Sequence, residues 1–434
     1  MNKVLKSAVA VALSASLLFS MSACAGQTAT TSGGSASKSA DQKITLKLWH
    51  IWAADSESSK APFLKSVENF KKTHPNITLD IDATENETYK TKIRTAVAAN
   101  EAPDIFFYWG GGYMKSFVTA GRLLPLNDYL NDGTKDKLLS GTLTNMTFDG
   151  KVYGLPHSMS VGTFFINQEL FDKNKIKVPT TYEELVDACK KFRAAGVKTP
   201  MAVGGKESWC IDMYLDMLQL RAGGYDACMN ALSGKGSYED AGIIDGAKRL
   251  QDLVKIKAFG DSPMGISRDE SEVPFYNGEV PMYFNGSWTI GNINKSKVKD
   301  KIKIVKFPEI GSKSNPDDYT GGVSEIFVVN ANTQYKDAAV TTLKFLSEDM
   351  SRELYLAGVG LPTWKLNGVD NSKIDPLTKS LLSMTNSAKS YTLWWNTYLE
   401  GANSELYLNK SSELFALKAT PEQYAKDLQT MNSK

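Results

Sequence analysis

Ile44-Thr45-Leu46-Lys47-Leu48-Trp49 alternates apolar and polar residues, the period-two pattern of a β-strand with one buried face. The chain leaves it through the polar and aromatic loop His50-Ile51-Trp52-Ala53-Ala54-Asp55. Phe63, Val67 and Phe70 then recur at helical spacing until His74-Pro75-Asn76 stops the helix, and Ile77-Thr78-Leu79-Asp80-Ile81 reads as a second strand. Tyr89, Ile93 and Val97 mark another helix, followed by an apolar strand from Pro103 to Tyr108. Strand, helix, strand, helix, strand predicts a parallel βαβ series and an α/β fold. Ligands of such sheets sit beyond the carboxyl ends of the strands, which is where the 50–55 loop and Trp109-Gly110-Gly111-Gly112 belong.

The 434 residues are 42% hydrophobic and 23% charged, an ordinary balance for a soluble globular protein. The formal charge of +2 includes a basic N-terminus, so the body is near neutral and offers no basic face for nucleic acid. Three histidines, His50, His74 and His157, are too scattered for a zinc site, and no metal or other cofactor is expected. Beyond Cys24 there are Cys189, Cys210 and Cys228, an odd set without metal-ligand spacing; Cys210 and Cys228 could pair, or all three could be buried thiols.

Lys3 and Lys6 precede an apolar run from Ala8 to Phe19, the layout of a secretory signal and too short to span a bilayer. Met21-Ser22-Ala23-Cys24 resembles the lipobox of bacterial lipoproteins, with Met21 in place of the usual leucine. The resemblance implies a signal peptide over 1–23 and a lipid on Cys24; an ordinary cleaved signal is the alternative. Residues 24–42 are small and polar with little to bury, and read as a disordered tether with a reach on the order of 25 Å. The remaining chain, about 410 residues, is long enough for two domains.

Four landmarks follow one another along the mature chain. They are the strand ending Leu48-Trp49; the edge Pro103-Asp104-Ile105-Phe106; Gly150-Lys151-Val152-Tyr153-Gly154-Leu155-Pro156 followed by Phe164-Phe165-Ile166-Asn167; and Phe275, Gly278, Met282, Gly286 and Trp288 in the spacing F-x-x-G-x-x-x-M-x-x-x-G-x-W. In this order they resemble the sugar-binding extracellular solute-binding proteins of ABC importers, the maltose- and multiple-sugar-binding kind. The resemblance implies a periplasmic-binding-protein-like α/β fold of two lobes joined by three crossings near 160, 322 and 361. The lobes would be 43–160 plus 324–360, and 161–323 plus 361–434. In the second lobe, Thr181-Tyr182-Glu183-Glu184 reads as a capping box, Met201-Ala202-Val203 as a short strand, Trp209 to Leu220 as a helix and Gly321–Ser324 as flexible backbone before a strand at Glu325–Val329.

Sugars present C–H faces and hydroxyl edges, so a sugar site needs flat aromatic platforms and a few fixed hydrogen-bonding groups. Trp288 follows the turn-like Asn285-Gly286-Ser287 and is the leading platform, as it is in the family resembled. Trp109, or Tyr108 beside it, borders the glycine loop; His50, Trp52 and Asp55 border the first loop; Glu87 precedes Tyr89; and His157 follows Pro156. Trp209 and Asp212 open a helix, Glu325 adjoins the return crossing, and one of Trp394 and Trp395 is expected to face the cleft.

The function expected is capture of a carbohydrate, an oligosaccharide in the first instance, between lobes that close on a hinge, with delivery to ABC permease subunits. The protein is expected to be a monomer on the outer face of a Gram-positive cell membrane, held by the lipid on Cys24. A binder of another solute, such as a polyol phosphate or polyamine, is the nearest alternative, although the candidate loops carry no arginine for phosphate. A secreted glycoside hydrolase would need a marked carboxylate pair, and none is visible. The chain therefore reads as a non-enzyme.

Overall fold

Leu46 and Leu48 point inward from the first strand, and the parallel partner their alternation calls for lies on each side of it. The computed structural model describes residues 43–433, so the signal peptide, Cys24 and the tether lie outside the described residues. The strands are β1 (Ile44–His50), β2 (Ile77–Ala83), β3 (Ile105–Trp109), β4 (Thr147–Phe148), β5 (Lys151–Val152), β6 (Leu155–Asn167), β7 (Met201–Ala202), β8 (Met282–Gly286), β9 (Ile302–Val305), β10 (Asp318–Val329) and β11 (Ser390–Thr392). β1 pairs in parallel with β2, Ile44 opposite Ile77, and with β3, Leu48 opposite Ile105. The helices Lys60–Thr73 and Asn86–Ala98 make the two crossovers.

One mixed sheet continues through the molecule in the order β2-β1-β3-β10-β6-β8-β7, with β11 on β10 and β9 on β6. Its two long central strands change company halfway. β10 pairs with β11 through Asp318–Thr320 and with β3 through Glu325–Val329. β6 lies against β10 up to Val161 and then against β8 and β9. The cores divide accordingly. Leu46, Phe107, Leu155, Phe327 and Leu343 belong to one, and Phe164, Met217, Phe284 and Tyr407 to another; Trp288 packs against both. A third chain segment meets the crossing at Met159 and Leu361, which exchange backbone hydrogen bonds of 2.9 Å.

Gly321 and Gly322 stand inside β10 at φ 107° and 136°, a region that favours glycine. A methyl on Gly321 would lie 2.4 Å from the Ser160 carbonyl oxygen. The expected flexible segment is thus the middle of a continuous strand, with register shifts on either side of Glu325. Other expectations shift slightly. Thr181 caps the helix Tyr182–Ala194 through the Glu184 N–H, but the Glu184 carboxylate accepts from Thr180, one residue earlier than a capping box requires. The full box is Ser267 with Glu270, opening the helix Arg268–Tyr276. The helix Ser208–Gly223 runs three residues past Leu220 and is buried almost all round. Asn285 and Gly286 end a strand instead of forming a turn. Cys189, Cys210 and Cys228 are buried free thiols, so the pairing of Cys210 with Cys228 does not occur.

Candidate functional site

A cavity of about 990 Å³ of empty space, its mouth included, opens between the two halves at the carboxyl ends of β1 and β3. That size suits a small-molecule ligand. The first half supplies Trp52, Glu57 and Ser58 from the loop after β1, with Trp109 at the end of β3 and Tyr113 after it; the crossing strands supply Ser160, Ser324 and Glu325. The second half supplies Trp209, Asp212, Asp216, Arg268, Trp288 and Trp394. The Trp288 ring lies between two others, with centroids 6.3 Å from Trp209 and 6.5 Å from Trp394, at interplanar angles of 59° and 66°. Trp109 and Tyr113 stand edge-on to one another at 5.5 Å. Gly286 makes the Trp288 placement possible: a methyl there would lie 2.1 Å from the indole.

Helix periodicity brings the polar groups of the second half to one face, since Trp209, Asp212 and Asp216 are spaced i, i+3, i+7. The Asp216 carboxyl accepts from the Trp395 backbone N–H at 2.9 Å and from the Tyr407 hydroxyl, and burial pushes it up to about 8. Asp212 is buried and neither of its oxygens has a hydrogen-bond partner, the neighbouring Ser411 hydroxyl donating instead to the Tyr407 carbonyl at 2.8 Å. Burial, then the nearby Asp216, pushes the Asp212 carboxyl well above the usual range. A buried polar group without a partner is costly, so Asp212 brings unused hydrogen-bonding capacity to the cavity wall. Glu325 accepts from the Ser158 hydroxyl at 3.1 Å, and burial raises it to about 7.

Polar links tie the halves together at the cavity edge. Arg268 donates to Glu57 at 2.8 Å, the Ser56 hydroxyl donates to Asp269 at 2.9 Å, and the Asn292 amide donates to the Ser56 carbonyl at 2.8 Å. On the opposite side Lys115 meets Glu400 at 3.0 Å and Arg94 meets Glu405.

Of the residues singled out from sequence, Trp52, Trp109, Trp209, Asp212, Trp288, Glu325 and Trp394 line this cavity. The others do not. His50 is buried against Phe63 at 4.3 Å, accepts from the Trp52 N–H through Nδ1, and is lowered to about 4 by burial. The Asp55 side chain is 98% exposed and pairs with Lys60 at 2.6 Å. Tyr108 points to the face of β3 opposite Trp109 and stacks on Phe117 at 4.7 Å. His157 is fully buried behind Trp52 and Phe107, lowered to about 3 by burial, with Nε2 3.8 Å from Glu325. Trp395 is core, 5.6 Å from Tyr407. Glu87 pairs with Lys90 at 2.6 Å on an adjoining groove. Sequence reasoning missed Glu57, Lys90, Tyr113, Asp216 and Arg268. Only Asp216, four residues after Asp212, carried a readable signal.

The family model for bacterial extracellular solute-binding proteins matches residues 53–353, more than half of the chain. A multiple sugar-binding protein of Streptococcus mutans is 24% identical over 366 residues, 79% of this chain and 81% of that protein. An ABC transporter extracellular-binding protein of Pyrococcus horikoshii is 25% identical over 356 residues, 81% of this chain and 80% of that one. A structure from work on xylan utilization by Caldanaerobius polysaccharolyticus superposes with a TM-score of 0.86 at 41% identity, covering 89% of this chain and all of that one. A chitin oligosaccharide binding protein follows at 0.82 and 28%, covering 90% and 98%. The chain belongs to the bacterial extracellular solute-binding protein family.

Proposed function

We propose that this protein is the binding component of an ABC importer, capturing a neutral oligosaccharide in the cavity between its lobes and presenting it to permease subunits. The observation that carries the reading is the row Trp209, Trp288 and Trp394 beside the unpartnered Asp212, which supplies stacking faces and a hydrogen-bonding group in one wall. Stacking on C–H faces and hydrogen bonding to hydroxyl edges are the two interactions a sugar offers. The relatives named for sugar or chitin oligosaccharide binding support the same class. Closure about β6 and β10 converts ligand binding into a shape that a permease can read. The lipobox-like Met21–Cys24 supports export and lipidation at Cys24, which would anchor the protein, taken here to be a monomer, to the outer face of the cell membrane.

A thermal-shift screen with xylo-, chito- and malto-oligosaccharides tests this. A ligand at 100 times its dissociation constant adds about 2.7 kcal/mol and raises the melting temperature by several degrees. A shift with a polyamine or polyol phosphate, and none with any oligosaccharide, would overturn it.

A further inference from the structure

We infer that the cleft has a second compartment, a groove between the helices Asn86–Ala98 and Gly401–Phe415 that takes further units of the same neutral oligosaccharide. The inference rests on the oligosaccharide reading above and concerns the length of its ligand. Two helix faces build the groove. Glu87, Thr91 and Arg94 line it at spacing i, i+4, i+7, and Gly401, Glu405 and Leu408 line it at the same spacing from the other lobe. It offers about 610 Å³ of empty space with its mouth, against about 990 Å³ for the main cavity.

Lys90 and Tyr113 border both spaces, so these two side chains stand at the passage between them. The Lys90 ammonium is held by Glu87 at 2.6 Å and lies 5.7 Å above the Trp109 ring. It is carried on a flexible four-carbon stem, and an arriving chain can displace it without moving backbone. Its place above a platform ring is where a sugar leaving the main cavity would pass.

The groove chemistry selects the ligand class. Its two acids and two bases are already paired, Glu87 with Lys90 and Glu405 with Arg94, so it presents no unbalanced charge to an ionic ligand. The hydroxyls of Thr91 and Ser116 and the paired charges suit sugar hydroxyls. The groove's aromatic residues are Tyr108, which is buried against Phe117, and Tyr113 at its border with the main cavity; with one accessible ring and no tryptophan, units held there bind mainly by hydrogen bonds and add less than those in the main cavity. The Arg94–Glu405 pair joins the two walls of the groove, so units held there are enclosed when the lobes close.

Calorimetric titration with xylo- and chito-oligosaccharides of two to six units tests the inference. In the wild type, affinity for the ladder that binds should rise about tenfold from the shortest bound member to the longest, as one or two net hydrogen bonds supply. Thr91 is exposed on its helix, so Thr91→Trp should fold normally and fill the groove. Its affinity for the shortest bound member should stay within about threefold of wild type while the gain with length disappears. Arg94→Ala also removes an exposed pair between the lobes, so it should weaken the short ligand slightly and reduce the gain with length by more. A wild-type length profile in Thr91→Trp, with a normal melting curve, would overturn the inference. Failure of the wild type to bind either ladder would instead sink the oligosaccharide reading, and this inference with it.

Discussion

Gly286→Ala tests whether the Trp288 ring is held where a ligand needs it. The added methyl would lie 2.1, 2.2 and 2.4 Å from three indole carbons. Carbon contacts settle near ~3.5 Å, so the ring must retreat by about 1.4 Å. Trp209 and Trp394 stand at 6.3 and 6.5 Å from it, and the ring lines the cavity, so a displaced ring is expected to move into that space. Gly286 lies in a strand without a positive φ, so alanine brings no backbone strain and slightly restricts the unfolded chain. Overpacking of this kind costs about 1–3 kcal/mol. With the ring swung into the ligand's space, that cost should appear as a loss of affinity of roughly 5- to 150-fold, with little change in the melting temperature. Trp288→Ala should weaken binding by about 2–4 kcal/mol. In the double mutant, Gly286→Ala should add nothing, because the ring it displaces is gone. Titration calorimetry of all four proteins beside melting curves closes the cycle. Equal effects of Gly286→Ala with and without the indole, or unchanged affinity in the single mutant, would refute the reasoning.

Arg268→Ala removes the Glu57 link between lobes and should weaken ligand affinity by about tenfold while reducing the ligand-induced decrease in radius of gyration seen by small-angle scattering. Glu325 is raised by burial from 4.5 to about 7, so the folded chain holds its proton more tightly than the unfolded one. That contribution is complete below about 4.5 and is lost as the pH rises through about 7. Denaturant titrations of Glu325→Gln across this window should show a smaller fall in stability with pH than wild type; parallel curves would remove the assignment. Cys24→Ala should shift the protein from the membrane fraction to the medium or leave an uncleaved precursor, and unchanged detergent-dependent retention would contradict lipidation at that residue.

The βαβ opening was legible because β1 and β2 expose one face, so their alternation survives in the sequence. β3 reads Ile-Phe-Phe-Tyr-Trp, apolar throughout, and carries no parity to say which of Tyr108 and Trp109 faces the cavity. Trp394 and Trp395 posed the same problem. Trp394 has extended backbone at the start of a single helical turn, so the two indoles diverge, one to the cavity and one to the core. The helix Ser208–Gly223 hides its polar face because cavity and core cover it all round, leaving no amphipathic stripe to read. Glu57 and Arg268 are 211 residues apart, and nothing local to either marks the other. His50 is the last residue of β1 and Asp55 lies in the loop after it, and the direction of a side chain at a strand end or in a loop is set by what packs around it. For these two that meant the core and the solvent.

If the lobes close on a ligand, as proposed, the contacts joining them suit a ligand-decided equilibrium. Most are polar and at least partly exposed. The Lys115–Glu400 pair is about half exposed on both sides, and such pairs contribute roughly 0–1 kcal/mol each. Between the lobes, backbone continuity runs through β6 and β10, whose hydrogen-bonded pairing resists sliding. Gly321 and Gly322, with the register shifts at Glu325, supply the local freedom to bend. Closure without ligand therefore gains a few weak links and leaves Asp212 buried without a partner. In the proposed function, an oligosaccharide would change both terms, by giving Asp212 a hydroxyl and by filling the space between tryptophans from one lobe and Trp109 from the other. A ligand shifts such an equilibrium only by its differential affinity for the two forms. Because the stacking wall and Asp212 lie in the second lobe and Trp52 and Trp109 in the first, much of the contact free energy can be realised only when the lobes meet. Ligand contacts on both sides of a weakly held hinge would thus couple capture to the proposed change of shape.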